Sequence, residues 1–137
     1  MNKITISTER AKLDIPYIHN FLSNSYWGKG RTVEAVQKSI DNSMCYGVYL
    51  DEKQIGFARI VSDTVVFAYL MDVFIDKNYN GKGYAQQLLK FILEDPELAD
   101  VKKWGLRTKD AHSLYEKVGF TPLADPTTSM EKWEYVA

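Results

Sequence analysis

Asp72-Val73-Phe74-Ile75-Asp76-Lys77-Asn78-Tyr79-Asn80-Gly81-Lys82-Gly83-Tyr84-Ala85 is the stretch whose reading decides how this chain folds. An apolar run ends, a polar turn follows, and two glycines open a segment of helical periodicity. The run Thr64–Ile75 includes Val65, Val66, Phe67, Tyr69, Val73 and Ile75. Such near-continuous apolarity fits a central strand covered on both faces. From Gly81 to Leu93, Ala85, Leu88, Leu89 and Ile92 share one helical face. A helix start leaves backbone N–H groups without intrahelical partners at the positive end of the dipole. Glycines there let an anion approach the main chain without meeting a Cβ, so Asn80, Gly81, Lys82, Gly83, Tyr84 and Ala85 form a candidate pyrophosphate cradle. The dipole supplies only about 0.3–1 kcal/mol per charge at an exposed site, so direct N–H contacts must supply most of the grip. The phosphate-loop pattern GxxxxGK[ST] fails here in both spacing and the final Ser/Thr. The dinucleotide pattern GxGxxG fails at its third glycine, which is Gln86, and the stretch sits mid-chain rather than after a first strand. A plain turn with two glycines remains the alternative, and this stretch alone does not separate the two.

Residues further along supply the second half of the pattern. Val101–Arg107 reads as a strand, Asp110–Val118 as a helix capped by Asp110 and closed by Gly119, and Met130–Val136 as a last strand. Ala111-His112-Ser113-Leu114-Tyr115-Glu116-Lys117-Val118-Gly119-Phe120 matches the pattern A-x-x-L-Y-x-K-x-G-F without a mismatch. Asn78 to Gly83 matches [RQ]-x-x-G-x-[GA] except at its first position. With two such motifs in this structural order, the chain resembles the GNAT superfamily of acetyl-CoA-dependent N-acetyltransferases over about residues 45–125.

The resemblance implies an α/β (α+β) fold over residues 1–137 as a single domain. It would be a mixed, mostly antiparallel sheet of six to seven strands flanked by about four helices, its central strands splayed to admit acetyl-CoA. In the family the pantetheine arm pairs with the main chain at the end of the central strand, which maps onto Met71, Val73 and Ile75. The pyrophosphate maps onto Asn80 through Ala85, where Lys82 either reaches a phosphate or stays a solvated surface lysine. Asn78 is shorter than the family's Arg or Gln, and Thr108 stands where an Asn is frequent; neither change touches the backbone donors. Tyr115 matches the family's general acid: a phenol of ordinary pKa near 10 can donate a hydrogen bond to a departing thiolate. Its alternative is a core tyrosine beside Leu114 and Val118.

An acceptor amine of pKa about 10.4 is neutral only about once in a thousand molecules at pH 7, a deficit of roughly 4–5 kcal/mol. Phe67-Ala68-Tyr69-Leu70, where some family members carry a base, offers none apart from Tyr69. Asp72 is the nearest carboxylate: a base through water, a site for a cationic acceptor, or a structural Asp that orders the splayed strand. His112 is a further candidate base, or else a helix-surface residue. Tyr26 and Trp27 fall where the family places acceptor contacts, and a cation against them gains roughly 0.5–2 kcal/mol. Arg59 either recognises a carboxylate acceptor or pairs with Asp63 or Asp72. Arg107 and Asp110 can pair with each other. Cys45 reads as a buried small hydrophobe.

The N-terminal half fills the remaining elements. Residues 3–7 alternate as a short strand, Leu13–Leu22 and a segment from a Thr32 cap to Asp41 read as helices, and Ser25–Arg31 breaks the periodicity between them. Met44–Leu50 and Gln54–Val61 form a hairpin across Asp51-Glu52-Lys53. A net charge of −1 argues against a nucleic-acid binder. No window approaches a membrane span, and no signal-peptide core precedes residue 10. One cysteine forms no internal bridge, which suits a reducing, cytoplasmic setting. His19 and His112 are far apart, and no metal-ligand cluster appears. The expected activity moves acetyl from acetyl-CoA, as co-substrate, to a primary amine, with a small-molecule acceptor favoured by the compact Tyr26-Trp27 loop. A non-catalytic acyl-CoA-binding or sensing module and an enzyme acting on a protein amine are the alternatives. A homodimer is compatible with either.

Overall fold

The computed structural model describes residues 3–134. Its sheet runs in chain order: β1 (Thr5–Ser7), β2 (Met44–Leu50), β3 (Lys53–Ser62), β4 (Phe67–Ile75) and β5 (Lys103–Gly105). The first four strands pair antiparallel as a meander, and β5 lies parallel to β4. A parallel neighbour needs a crossover, which α3 (Tyr84–Leu93) provides. The other helices are α1 (Ile15–Ser23), α2 (Val33–Asp41) and α4 (His112–Glu116).

The two faces of the sheet carry separate cores. On one, Leu88, Leu89 and Ile92 of α3 pack against Tyr46, Val48, Ile60 and Leu70. On the other, Ile18 and Leu22 of α1 and Val36 and Ile40 of α2 pack against Cys45, Phe57 and Phe74. Cys45 is buried, as its apolar strand predicts, and burial pushes its thiol up to about 11. Asp14 and Thr32 cap α1 and α2 by accepting from the amides of Tyr17 and Ala35. The β2–β3 hairpin closes on Asp51 and Glu52, both at positive φ, which matches the right-handed strand twist.

Four expectations need correction. The sheet has five strands among the described residues, where six to seven were expected. The missing strand is Met130–Val136: residues 130–134 carry no regular structure and 135–136 lie outside the described residues. Met130 is 97% exposed and Trp133 63%, so the segment presents no buried face to hold it in a sheet. β4 begins at Phe67 rather than Thr64, because Asp63 Oδ1 accepts from the amides of Val65, Val66 and Phe67 and prolongs the turn. α3 begins at Tyr84 rather than Gly81, since Gly81 (φ 78°) and Gly83 (φ 79°) both take the left-handed conformation. α4 begins at His112, and Thr108 Oγ1, not Asp110, accepts the Ala111 amide ahead of it.

Candidate active site

β4 and β5 part company early. Their pairing runs only from Phe67–Lys103 to Tyr69–Gly105, so from Leu70 to Ile75 the β5 side of β4 has no strand beside it among the described residues. Gly105 permits the tight end of this ladder, because a Cβ there would lie 3.2 Å from the Tyr69 ring. On its other side β4 carries a bulge. From Phe57 to Arg59 β3 advances two residues, whereas the partners Phe74 and Met71 are three apart. Asp72 sits in that bulge at φ 56°, a region that Asp tolerates better than most residues. The main chain of Met71, Val73 and Ile75 thus lines the opening, with the Val73 and Ile75 side chains packed on the α3-side core.

The opening leads to the start of α3. Asp76 fixes the turn: its amide donates to Ile55 O at 2.7 Å, its Oδ1 accepts from Asn78 N, and its Oδ2 accepts from the Tyr17 hydroxyl. The first amide drawn into the helix is that of Gln87, which donates to Gly83 O at 3.1 Å. The amides of Gly81, Lys82, Gly83, Tyr84, Ala85 and Gln86 donate to no partner among the described residues. A Cβ built on Gly81 or Gly83 would meet nothing within 4 Å among the described residues other than its chain neighbours, so that space is open. A cleft of about 190 Å³ lies here, lined by Ile75, Asn80, Gly81, Gly83, Leu114 and Lys117 among others. It joins the end of β4, the start of α3 and one face of α4. This arrangement of unpartnered amides around an open cleft suits a diphosphate.

Tyr115 lies on α4 beside Leu114, half-buried, with its ring edge-on to Phe120 at 6.0 Å. Burial pushes its phenol up to about 12, helped by the nearby Tyr26 phenol and Asp110 carboxylate. Tyr115 therefore holds its proton throughout the neutral range. Thr108 is engaged with Ala111, and His112 is the exposed first residue of α4.

The other end of the opening is crossed by the loop between α1 and α2. Trp27 Nε1 donates to Asp72 Oδ1 at 3.0 Å, and Arg31 Nη1 donates to both Asp72 oxygens at 2.9 and 2.8 Å. Arg59 Nε donates to Asp72 Oδ2 at 2.9 Å. The Asp72 side chain is 1% exposed, and these contacts fill the roughly four lone-pair positions a carboxylate offers. Arg59 is buried and takes the Asp72 pairing of its alternatives, not Asp63. On the opposite wall the Tyr26 hydroxyl accepts from the Lys109 amide at 3.2 Å, and Lys109 Nζ stands 5.5 Å from the Tyr26 ring centroid. One loop thus bridges both walls of the gap. Arg107 pairs with Glu131 at 2.6 Å in place of the expected Asp110. Arg31 drew no assigned role in the sequence; its only signal there was a cation in the loop that also carries Tyr26 and Trp27.

Comparison with known proteins places this geometry. The family model described as the acetyltransferase (GNAT) domain matches residues 41–122. The chain belongs to the GNAT family of acetyltransferases. A crystal structure of a protein assigned to the GNAT family from Xanthomonas campestris pv. campestris aligns with a TM-score of 0.94 at 39% identity, covering 98% of this chain and 95% of that one. An uncharacterized N-acetyltransferase, ycf52-like, of Prochlorococcus marinus is 33% identical over 80% of this chain and 63% of its own length. A GNAT family acetyltransferase from Elizabethkingia anophelis, solved with acetyl-CoA bound, shares the fold at TM-score 0.68 and 21% identity, over 86% of this chain and 76% of that one. The chain spans about three-fifths of the length of the first curated relatives it matches, 62% and 63%. Among the described residues, no helix is long and apolar enough to cross a membrane, and no group of three or more His, Cys, Asp or Glu side chains gathers to hold a metal.

Proposed function

We propose that this GNAT protein moves the acetyl group of acetyl-CoA to the primary amine of a small molecule. The observation that carries the reading is the run of unpartnered amides from Gly81 to Gln86, open to a cleft that α4 walls with the neighbours of Tyr115. The acetyl-CoA bound in the Elizabethkingia relative supports the same cofactor here. Gly81 to Ala85 would hold the diphosphate, and the free main chain of Met71, Val73 and Ile75 would pair with the pantetheine amides. When bound, the thioester supplies an activated acyl carbon, which joins the amine nitrogen as its bond to sulfur breaks.

The family resemblance assigns the proton-holding group at that event to Tyr115 Oη. A thiol of ordinary pKa near 8.5 is the stronger acid by about 3.5 units, so full proton transfer from a phenol near 12 is uphill by about 5 kcal/mol. Tyr115 therefore acts as a hydrogen-bond donor to the departing sulfur rather than as its proton source. Asp72, with its lone pairs filled by two guanidiniums and an indole, organises the bulge and the loop and is not a base. The acceptor loses its proton to water, and the site contributes chiefly orientation. The test follows thiol release from acetyl-CoA across a panel of amines, with calorimetric titration of acetyl-CoA as the binding control. Binding without transfer to any amine would favour a sensing module, and absence of binding would remove both.

A further inference from the structure

The acceptor end of the gap carries more positive charge than its own carboxylate balances. Arg31 and Arg59 both bond Asp72, so the cluster holds two guanidiniums and one carboxylate. Arg59 is used up inside the fold: Nε on Asp72, Nη1 on Ser43 Oγ at 3.1 Å, and Nη2 against Met71 Sδ at 3.4 Å. Arg31 is not. Only Nη1 engages Asp72, and its Nε and Nη2 donors meet no partner among the described residues. The Arg31 side chain is 26% exposed, whereas those of Arg59 and Asp72 are 9% and 1% exposed. The loop is also fastened behind Arg31, whose carbonyl lies 2.9 Å from His19 Nε2.

We infer that the acceptor is a small amine that also bears an oxyanion, a carboxylate or a phosphate, and that the Nε–Nη2 edge of Arg31 binds it. The inference rests on the acetyl-transfer reading for the location of the acceptor. A guanidinium edge matches two oxygens at once, and such charge-assisted pairs are the stronger hydrogen bonds. Asp72 already fixes the guanidinium from the other side, so little side-chain freedom is lost when an anion docks. The same excess charge disfavours a polycationic acceptor. The aromatic surface that would otherwise attract a cation is taken, since Lys109 Nζ already stands over Tyr26. Lys109 adds a second cation on the opposite wall.

The test is a calorimetric titration of matched amines into the whole protein, with and without acetyl-CoA. The series comprises α-, β- and γ-amino acids, their carboxamides, O-phosphoethanolamine and short diamines. At least one anionic amine is expected to bind ten times more tightly than its amide or the diamines. The carboxylate and phosphate arms tell which oxyanion fits. Arg31→Gln should abolish the preference and Arg31→Lys should keep part of it; if Arg31→Gln does not fold, the acid-to-amide ratio of the unaltered protein decides alone. Equal binding of acid and amide, preference for diamines, failure of every anionic amine to bind, or a preference that survives Arg31→Gln overturns the inference. Thiol release run in parallel separates the two claims. Acid-selective binding without release removes the transfer reading alone, whereas release with neutral or cationic amines only removes the oxyanion.

Discussion

Asp72→Asn isolates one quantity, the negative charge that two arginines share. Asparagine keeps the shape of the side chain and is at home at a φ of 56°, so the backbone is undisturbed. What disappears is the partner of Arg59, which is buried, and of Arg31, which is partly exposed. Removing one member of a buried ion pair costs about 3–5 kcal/mol. Arg31 can turn toward water, so the lower end, about 3 kcal/mol, is expected. That is a large share of the roughly 5–15 kcal/mol that holds a domain together. Urea unfolding followed by circular dichroism is the assay. With a slope of about 1–3 kcal/mol per molar urea, the midpoint should fall by about 1–3 M. The same variant separates a structural carboxylate from a catalytic one. A base would leave stability intact and remove turnover; a midpoint within about 0.3 M of the parent would refute the reasoning. Asp72→Ala should be worse by a further 1–2 kcal/mol or so, the strain of an ordinary side chain in the left-handed region.

Tyr115→Phe should reduce turnover about 10- to 100-fold, the loss of a hydrogen bond to a charged group worth about 1.5–3 kcal/mol, with acetyl-CoA affinity changed less than about twofold. Unchanged turnover in a working assay would remove Tyr115 from the chemistry. Gly83→Ala meets no atom within 4 Å yet must adopt a φ of 79°, so it should destabilise by about 1–2 kcal/mol through backbone strain alone, seen as a lower melting temperature. An unchanged melting temperature would mean that the loop re-forms without the left-handed residue. At high pH the fold should weaken. Burial raises the phenols of Tyr49 and Tyr115 from 10 to about 12 and those of Tyr17 and Tyr46 further. Stability is then fully present below pH 10 and lost as pH climbs from 10 to 12, because the unfolded chain releases those protons first. A urea midpoint that stays level across that interval would contradict the burial of these rings.

Strands β2 and β3 and helices α1 and α2 could be drawn on the sequence to within a residue or two, because their caps and periodicities are local. The open turn before α3 was equally visible, since two glycines ahead of an amphipathic helix are a local pattern. Boundaries failed where something outside the pattern intervened. Asp63 drew three amides into a turn that Val65 and Val66 alone do not announce. Apolar residues within Val101–Arg107 suggest a longer strand, but only Lys103–Gly105 pairs, because Val65 and Val66 are held in the Asp63 turn at one end and the pairing with β4 stops at Tyr69 at the other. The roles of Asp72, Arg59 and Arg31 were least legible. They lie 13 and 41 residues from one another across the contacts that decide them, and only the folded sheet shows which cation meets the carboxylate.

The extra residue in β4 also shifts the numbering of its two faces by one. Ala68 and Leu70 belong to the core beneath α3, and so, after the bulge, do Val73 and Ile75, while Phe74 faces the α1–α2 side. Even numbers point one way upstream and odd numbers downstream. Deleting a single residue between 71 and 73 would straighten the ladder with β3 and leave every following side chain in its own layer, Phe74 still stacked on Phe21, so the layers do not need the extra residue. What the inserted position supplies is the kink from which one carboxylate reaches two arginines: a shortened strand would keep both cores in place and lose the charge cluster that ties the loop to the sheet.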